Sequence, residues 1–424
     1  MLIISGARGD TRRYRCFHLY EQFHLADMDC QIHLITESKI SNMNWQDIVI
    51  FHRVTEDALT DRIFTAIDRL GGLALMDVDD YLFDSTAYQW INSPDFQDPV
   101  RASLYQEDML RFRNLLQRCH GALASTHFLA QQVEKLNIPV WVHRNAFSLE
   151  MLALSKSAQR ERQNSGKPII IGYGSGTPTH NRDFAMIKPV LIKILEKYPS
   201  TELWLAGEID PGKEWGSSAD RVKQYPLLPW RELPALLARF DINLAPLVAD
   251  NPFSQSKSEI KYVEAGLVKT PTIASPTEAF RHAIQSSHNG FLAETTDDWL
   301  KALQTLIEQR DLRIEIGEQA YQDVIERYHP AVRSMELMKI LDGINQAFST
   351  RAFEKIDTSK SASVIAFNQQ GKDYHELSVS HELESKPSLI QRGIYSLRYR
   401  GAATLLRQIW IQIRRWLVPL FPFK

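Results

Sequence analysis

Short apolar runs alternate with longer amphipathic segments along the first third of the chain. Such runs, bounded by polar residues, are typical of buried strands in a parallel sheet. The amphipathic segments, such as 57–70 and 102–119, are long enough to be the crossover helices that cover such a sheet. The predicted strands are residues 2–5, 31–35, 48–51, 73–76, 122–124 and 140–142. The pattern therefore predicts an α/β domain over residues 1–155.

A second series of strands begins after a polar connection at residues 156–167. Its predicted strands are residues 169–172, 202–206, 242–245, 272–274 and 290–292. Helical patterns over 299–326 and 331–345 follow, separated at His329-Pro330, because a residue before proline disfavours the helical conformation. We expect these helices to close a second Rossmann-like domain over 166–347. Two doubly wound domains in tandem form a ligand-binding cleft between the carboxyl ends of their strands.

Length and composition agree with two folded domains. The chain has 424 residues, of which 44% are hydrophobic and 24% are charged, and this is an ordinary globular composition. The net charge of −2 gives no overall positive field for nucleic acid. We therefore expect no nucleic-acid partner.

Cysteine use and the first residues bear on the compartment. Cys16, Cys30 and Cys119 are odd in number and widely spaced, which argues against a disulfide framework and against a cysteine metal site. Arg8 and Arg12 precede any apolar run long enough for a signal peptide. No stretch reaches the roughly 18 apolar residues of a spanning helix. We expect a cytoplasmic protein that is not integral to a membrane.

The most informative segment for chemistry runs from residue 241 to residue 275. It predicts a strand, a loop, a helix and another strand in close order. Lys257, Lys261 and Glu264 are spaced three and four apart, so they share one helix face. A helix N-terminus with lysines beside it suits a diphosphate. A glutamate one turn further on accepts hydrogen bonds from sugar or ribose hydroxyls.

This segment resembles the family 4 glycosyltransferases, which have the GT-B fold of two Rossmann-like domains facing across a cleft. Glu264, Ala265 and Pro271 stand at the spacing of the family phrase Glu-Ala followed by five residues and proline. The resemblance implies that Glu264 contacts the donor ribose. It also implies that Lys261, three residues before, contacts the donor diphosphate.

Two positions depart from the family pattern. Ser256 stands where the fuller motif has another glutamate, and Lys269 stands where a glycine is common. Glu259 is the nearest carboxylate that can replace the missing glutamate. We therefore include Glu259 among the donor-binding candidates.

A glycine-rich turn at residues 172–183 follows the first predicted strand of the second domain. Gly174, Ser175 and Gly176 are small enough to let the backbone approach a phosphate. Arg182, at the start of the next helix, can add a charge-assisted contact. Family members use this turn to approach the donor, and the resemblance spans about residues 165–345.

The first domain resembles the family more loosely, and it provides the acceptor-side candidates Arg15, Arg53, Asp79 and Asp80. The structural alternatives are arginines that cap helix ends and a turn with solvated carboxylates. The acidic phrase at 77–84 also matches the Asp-x-Asp metal motif of the other major glycosyltransferase fold. We disfavour a metal site because GT-B enzymes generally need none. The histidines are scattered, and none is predicted to be a catalytic base.

The resemblance implies transfer of a sugar from a nucleotide diphosphate sugar to a glycan or lipid-linked acceptor, with retention of anomeric configuration and without a cofactor. Lys261 and Arg182 are the catalytic candidates, because they would stabilise the departing diphosphate. Two alternatives remain. One is a sugar-nucleotide epimerase or hydrolase on the same fold. The other is a non-catalytic polysaccharide-assembly protein, which Ser256 favours because a carboxylate is expected there.

The last part of the chain changes in composition. Residues 348–389 are polar and predict a flexible linker. Residues 390–424 predict a basic amphipathic helix, with seven basic residues and no acidic residue from 391 onward. Its apolar face consists of Leu406, Ile409, Trp410, Ile413, Trp416, Leu417 and Leu420, opposite Arg400, Arg407, Arg414 and Arg415. Such a helix is typical of an anionic membrane interface. The alternative is a helix that docks on the protein's own surface.

We predict that residues 391–424 bring the enzyme to the inner face of an anionic membrane. Each arginine near the surface contributes roughly 1 kcal/mol, so binding should be reversible and sensitive to salt. The measurement is liposome co-sedimentation of the full chain against a chain that ends at Ser388. Equal sedimentation of both chains, or none by either on anionic lipid at low salt, would contradict membrane binding and favour the docking helix.

Overall fold

The computed structural model describes residues 1–36, 48–91, 93, 96, 98–161, 168–349 and 406. These residues form two six-stranded parallel sheets, each flanked by helices. The predicted linker from residue 350 onward, and the C-terminal helix apart from Leu406, lie outside the described residues. Within the described residues, we find no helix that combines the length and hydropathy needed to span a bilayer.

The first sheet is built from buried apolar strands. The strands are β1 (Leu2–Ser5), β2 (Gln31–Leu34), β3 (Ile48–His52), β4 (Leu73–Val78), β5 (Gly121–Ala124) and β6 (Val140–Val142). Their order is β2-β1-β3-β4-β5-β6, and every neighbouring pair is parallel. All four residues of β1 are buried because helices cover both faces. The predicted strands of this sheet are confirmed, with small changes at their ends.

Helices connect these strands and cover the sheet. They are α1 (Asp10–Arg12), α2 (His18–Leu25), α3 (Ala58–Leu70), α4 (Pro99–Arg118), α5 (His127–Glu134) and α6 (Leu149–Glu161), and a π-helical segment, Arg13–Phe17, joins α1 to α2. Helix α3 begins at a capping box in which Asp57 and Thr60 satisfy each other's backbone amides. The two segments predicted as crossover helices, 57–70 and 102–119, are confirmed as α3 and α4.

The second sheet has the same architecture. Its strands are β7 (Ile169–Ser175), β8 (Thr201–Gly207), β9 (Val222–Tyr225), β10 (Ile242–Ala245), β11 (Thr272–Ala274) and β12 (Phe291–Leu292), in the order β12-β11-β10-β7-β8-β9. Its helices are α7 (Asn181–Lys197), α8 (Leu233–Leu237), α9 (Pro252–Gln255), α10 (Ile260–Leu267), α11 (Glu278–Ala283), α12 (Thr296–Glu308), α13 (Arg310–Tyr328) and α14 (Pro330–Ala347). This order places the carboxyl ends of β7 and β10 side by side at the middle of the sheet.

Two features of the second domain differ from the sequence prediction. Strand β9 was not predicted, because Lys223 and Gln224 are exposed at the sheet edge and interrupt the apolar pattern. The predicted helix over 299–326 is two helices, α12 and α13, which meet at Gln309. The backbone angles of Gln309 are not helical, so the helix is interrupted there although the apolar pattern continues through it.

The last helix of each domain packs on the other domain. Leu337, Leu341 and Ile344 of α14 lie in one buried cluster with Leu19 and Phe23 of α2. The prediction that the helix over 331–345 closes the second domain is therefore wrong. Its apolar period indicates a buried face, but the period does not indicate which domain covers that face.

Helix α6 crosses in the opposite direction. Met151 and Leu152 share a buried cluster with Val263 and Leu267 of α10 in the second domain. The core of the second domain thus includes α6, which follows the last strand of the first domain. The core of the first domain includes α14, which follows helix α13 of the second domain. The exchange holds the two strand edges against each other, and a cavity lies in the space between them, which we name the main cavity.

Candidate functional site

A cavity of about 300 Å³ lies between the two domains. The first domain contributes Asp10, Arg13 and Tyr14 from α1 and the π-helical segment. The second domain contributes most of the wall, and its polar members include Gly174, Ser175, Gly176, His180, Asn243, Lys257, Ser258, Lys261 and Glu264. The volume falls at the lower end of the range for small-molecule sites. Of the predicted donor residues, six line this one cavity, and Glu259 is the exception.

The glycine turn forms one wall at the carboxyl end of β7. A Cβ atom built at Gly174 or Gly176 would meet no heavy atom within 4 Å. Neither glycine is therefore required by packing against the protein. The open space on their side belongs to the cavity, so a ligand can approach the backbone closely here. Ser175 Oγ donates a hydrogen bond to the Thr177 carbonyl and fixes the turn.

Lys261 projects from the first turn of α10 toward this wall. Its Nζ donates a hydrogen bond to the carbonyl of Gly174 and lies 5.2 Å from the centre of the Tyr173 ring. Burial lowers the pKa of Lys261, while Glu264 and Asp183 act in the opposite direction. The ammonium is therefore a partly desolvated charge at the mouth of the glycine turn, where an anionic ligand would interact with it strongly.

Glu264 lies one turn further along α10 and faces the first domain. The hydroxyl of Tyr14 donates a hydrogen bond to Glu264 Oε1. The Arg13 guanidinium is 3.9 Å from the same oxygen. Burial raises the pKa of Glu264, and the nearby Arg13, Tyr14 and Lys261 oppose that rise. A carboxylate held between a phenol and a cation accepts further hydrogen bonds, as ligand hydroxyls would require.

Another part of the cavity wall is apolar. Arg13 lies between two rings, 4.0 Å from the centre of Tyr14 and 4.8 Å from the centre of Trp230. The wall also includes Leu227, Leu228, Leu233, Leu236 and Leu237, together with Ala206 and Gly207, which are the strand neighbours of Gly174 and Ser175. The cavity therefore combines cationic side chains and an open glycine backbone with an apolar surface. A ligand with a charged group and a flat ring matches both.

The acceptor-side candidates Arg53, Asp79 and Asp80 form an ion network that reaches the second domain. Arg53 Nε is 2.8 Å from Asp79 Oδ1, and Arg53 Nη2 is 2.8 Å from Asp80 Oδ2. Asp80 Oδ1 is in turn 2.7 Å from Lys257 Nζ and 3.4 Å from Ser256 Oγ. Burial opposes ionisation of Asp79, but Arg53 outweighs it and holds the pKa of Asp79 below its usual range. Asp80 thus brings a carboxylate from the first domain to Ser256.

Arg15 does not reach the cavity. Its guanidinium forms two hydrogen bonds with Asp77, at 2.9 and 2.7 Å. It also donates to the His143 carbonyl and to Asn145 Oδ1, both at 2.9 Å. The guanidinium N–H groups that make these contacts point into the protein, and Arg15 is buried. Arg15 thus fixes the connection between the domains, and its predicted role toward an acceptor stays a prediction that these contacts do not favour.

Glu259 is also a structural residue. It precedes α10, it is 1% exposed, and its Oε2 lies 3.4 Å from Arg144 Nη1. The Tyr328 hydroxyl donates to its Oε1 at 2.9 Å. Glu259 does not line the cavity that contains Lys261. The prediction that it is a donor-binding carboxylate in place of Ser256 is therefore wrong.

A smaller pocket adjoins the main cavity, and Arg182 lines this one. His180 and Lys257 line both pockets, so the two spaces share a wall. Arg182 is exposed and lies beside Trp90 of the first domain. Its role at a diphosphate stays a prediction. His180 was not predicted, because one histidine in a turn has no spacing that distinguishes it from a surface residue.

The Asp-x-Asp phrase is accounted for by ion pairs. Arg15 pairs with Asp77, Arg53 pairs with Asp79, and Lys257 pairs with Asp80. Among the described residues, no group of three or more histidine, cysteine, aspartate or glutamate side chains is arranged to hold a metal ion.

Residues 189–339 match the family model described as "Glycosyl transferase-like". No curated protein sequence gave a match. The crystal structure of Anabaena Alr3699/HepE in complex with UDP and glucose is similar, with a TM-score of 0.55 and 14% identity over 81% of this chain and 100% of that chain. A glycosyltransferase from Rickettsia africae ESF-5 has a TM-score of 0.54 and 13% identity over 82% of this chain and 98% of that chain. These likenesses establish the GT-B fold predicted from the sequence.

We predict that Glu259→Gln lowers stability without changing nucleotide affinity. The change keeps the volume but removes the charge that Arg144 and Tyr328 contact, at a cost of about 1.5–3 kcal/mol in the free energy of unfolding. Chemical denaturation measures the loss, and calorimetry with UDP measures the affinity. Glu318→Gln is the control, since its pair with Lys269 is exposed and should change stability by less than about 0.5 kcal/mol. Weaker UDP binding by folded Glu259→Gln would return Glu259 to the site.

Proposed function

We propose that the chain is a group 1 glycosyltransferase, and that it transfers a sugar from a nucleotide diphosphate sugar to a hydroxyl of a glycan or lipid-linked acceptor. The match to the glycosyl transferase-like family model and the GT-B fold support this proposal. The observation that supports this most is the placement of Lys261 and Glu264 in one cavity, with the Lys261 ammonium beside an open glycine turn. Assignment to family 4 within this group, and work at the cytoplasmic face of a membrane, are parts of the same proposal.

The chemistry of the cavity walls suggests how the donor binds in this proposal. Its diphosphate lies against Lys261 and the backbone of Gly174–Gly176, where positive charge and close approach coincide. The ribose lies at Glu264, which exchanges its contact with Tyr14 for contacts with ribose hydroxyls. The base lies on the apolar part of the wall beside Trp230. UDP is our probe for this arrangement because Anabaena HepE was crystallised with it.

In the reaction, the acceptor oxygen forms a bond to the anomeric carbon. The bond from that carbon to the diphosphate oxygen breaks, and its electron pair leaves with the nucleoside diphosphate. With retention of configuration, the hydroxyl proton passes to the departing phosphate oxygen on the same face. Lys261 stabilises the charge that develops on that group, and the partly buried site strengthens the interaction. No metal or other cofactor takes part in this proposal.

The acceptor approaches from the first domain, on the side of Arg53, Asp79 and Asp80. Asp80 accepts from Lys257 in the structure, so this network lies next to the proposed diphosphate position. Carboxylates at such a place bind acceptor hydroxyls and hold them in line with the anomeric carbon. Transfer of a radiolabelled sugar to a glycan or lipid-linked acceptor distinguishes this function from an epimerase or hydrolase.

A panel of sugar nucleotides tests the proposal at the level of binding. A donor that binds the folded state raises the melting temperature by mass action. The panel should include uridine, guanosine and thymidine diphosphate sugars at equal concentration. A stabilising member identifies the donor. No stabilisation by any member, together with no binding by calorimetry, would contradict the glycosyltransferase proposal and favour a non-catalytic assembly protein.

We predict that Glu264→Ala weakens donor binding by about 1.5–3 kcal/mol, the range for a charged hydrogen-bonding partner. The physical reason is loss of the carboxylate that accepts from ribose hydroxyls. Calorimetry with UDP and with 2′-deoxy-UDP measures it, and the two ligands should bind the variant more nearly equally than they bind the parent. Glu315→Ala, an exposed change on α13, is the control. Unchanged UDP affinity in folded Glu264→Ala would remove Glu264 from the site.

We predict that Lys261→Met weakens UDP binding by about 1.5–3 kcal/mol and leaves uridine binding nearly unchanged. The ammonium interacts with the phosphates, which uridine lacks. Arg182→Met should act in the same direction but less, since Arg182 is exposed in the adjoining pocket. Lys193→Met, exposed on α7, is the matched control. Equal weakening of UDP and uridine by Lys261→Met would contradict a phosphate contact.

A further inference from the structure

His180 occupies the wall that the two pockets share. It ends the short 3-10 turn Pro178–His180 that follows β7 and directly precedes α7. The residue lines the main cavity with Lys257 and Lys261, and it lines the smaller pocket with Lys257 and Arg182. Its side chain is 18% exposed, so a ligand in either pocket can reach it.

Asp183 fixes the orientation of this ring. His180 Nδ1 is 2.8 Å from Asp183 Oδ2, and Asp183 Oδ1 accepts from the Val248 amide at 2.9 Å. Asp183 is buried, and the amide keeps its carboxylate in place. A carboxylate at Nδ1 sets that nitrogen as the protonated one, which leaves Nε2 as the nitrogen available to a ligand.

The charges around the ring are arranged so that its protonation depends on what fills the cavity. Burial lowers the pKa of His180, the hydrogen bond with Asp183 raises it, and Lys261 and Lys257 lower it again. Arg182 lines the same small pocket. The net direction is downward, so the imidazole is neutral near pH 7 when the cavity holds only solvent.

We propose that His180 is a ligand of the donor diphosphate and that it takes up one proton from solvent when the diphosphate binds. This inference rests on the proposed function, since it needs a diphosphate in the cavity. The phosphate charges offset Lys257 and Lys261, which are the nearby cations that oppose protonation. Asp183 then stabilises the imidazolium through Nδ1, and Nε2–H donates to a phosphate oxygen.

The proton has a consequence for the reaction. When the bond to the anomeric carbon breaks, negative charge increases on the departing diphosphate. An imidazolium in contact with that group stabilises the charge, in addition to Lys261. The Asp183–His180 pair thus supplies a third cation, beside Lys257 and Lys261, that is present only while donor or product occupies the site. The free enzyme avoids a third desolvated positive charge beside the two lysines.

The test is calorimetric titration with UDP-glucose in two buffers of different ionisation enthalpy, from pH 6 to 8.5. Each phosphate of a nucleotide sugar carries one ester bond and one anhydride bond, so the ligand lacks the phosphate group that titrates near pH 6 in a monoester. We expect net uptake of up to one proton. In the pH range where His180 is charged in the complex and neutral in the free protein, affinity for UDP-glucose should fall by up to about tenfold for each unit of pH.

The variants separate this role from a structural one. His180→Asn should bind UDP-glucose more weakly, with no proton uptake and a flat pH profile, while its uridine affinity stays that of the parent. Asp183→Asn should reduce the uptake, because it removes the charge that stabilises the imidazolium. His288→Asn is the matched control, since His288 is exposed and is not among the residues that line either pocket. It should retain full uptake.

Two results would overturn the inference. One is proton uptake by His180→Asn equal to that of the parent chain. The other is binding of UDP-glucose by the parent without any proton uptake between pH 6 and 8.5. Failure of the proposed function looks different, because then neither UDP-glucose nor any other sugar nucleotide of the panel binds. A parallel loss of uridine binding and of melting temperature in His180→Asn would instead assign the residue to the structure of the turn.

Discussion

The position of the Lys261 ammonium is the interaction on which the site depends. It lies against the Gly174 carbonyl because β7 and β10 are neighbours in the sheet, so that the turn after β7 and the helix after β10 meet at one edge. The same helix brings Glu264 to the first domain. One strand order therefore fixes the cation, the open glycine backbone and the carboxylate together.

The residues proposed to bind the donor are used for contacts between the domains in this structure. Tyr14 of the first domain donates to Glu264, and Asp80 pairs with Lys257. A donor that takes Glu264 for its ribose and Lys257 for its phosphates replaces both contacts. Part of the binding energy then offsets the loss of these two contacts. The charged groups have partners both before and after the donor binds. This limits the cost of an unpaired buried charge in either state.

The sequence predicted the strands well and the partners of charged residues poorly. Apolar runs locate a buried strand, so β1, β10 and β11 are confirmed, whereas the exposed polar edge strand β9 has no such pattern. The spacing of Lys261 and Glu264 places both on one helix face, and both line the cavity. Arg15 and Glu259 are charged residues like Lys261 and Glu264, but their partners, Asp77 and Arg144, are distant in sequence. Spacing alone does not identify such partners.

The same reasoning explains why His180 was missed and α14 was assigned to the wrong domain. The role proposed for His180 depends on Asp183, Lys257 and Lys261 and on the two pockets that the histidine lines. Only the fold brings these groups together. The apolar face of α14 predicts burial, and only the path of the chain determines that α2 covers it. In both cases the tertiary partners determine the role of the residues, and the local sequence does not identify those partners.

The connection between the domains is pinned by buried charges. Arg15 donates to the His143 carbonyl, Arg333 donates to the Arg144 carbonyl, and Arg144 pairs with Glu259. Removing one partner of a buried ion pair leaves an unpaired buried charge and costs about 3–5 kcal/mol. A rigid-body opening at this connection would break several of these contacts at once. Movement of Tyr14 and Lys257 alone would break only the Glu264 and Asp80 contacts at the cavity itself.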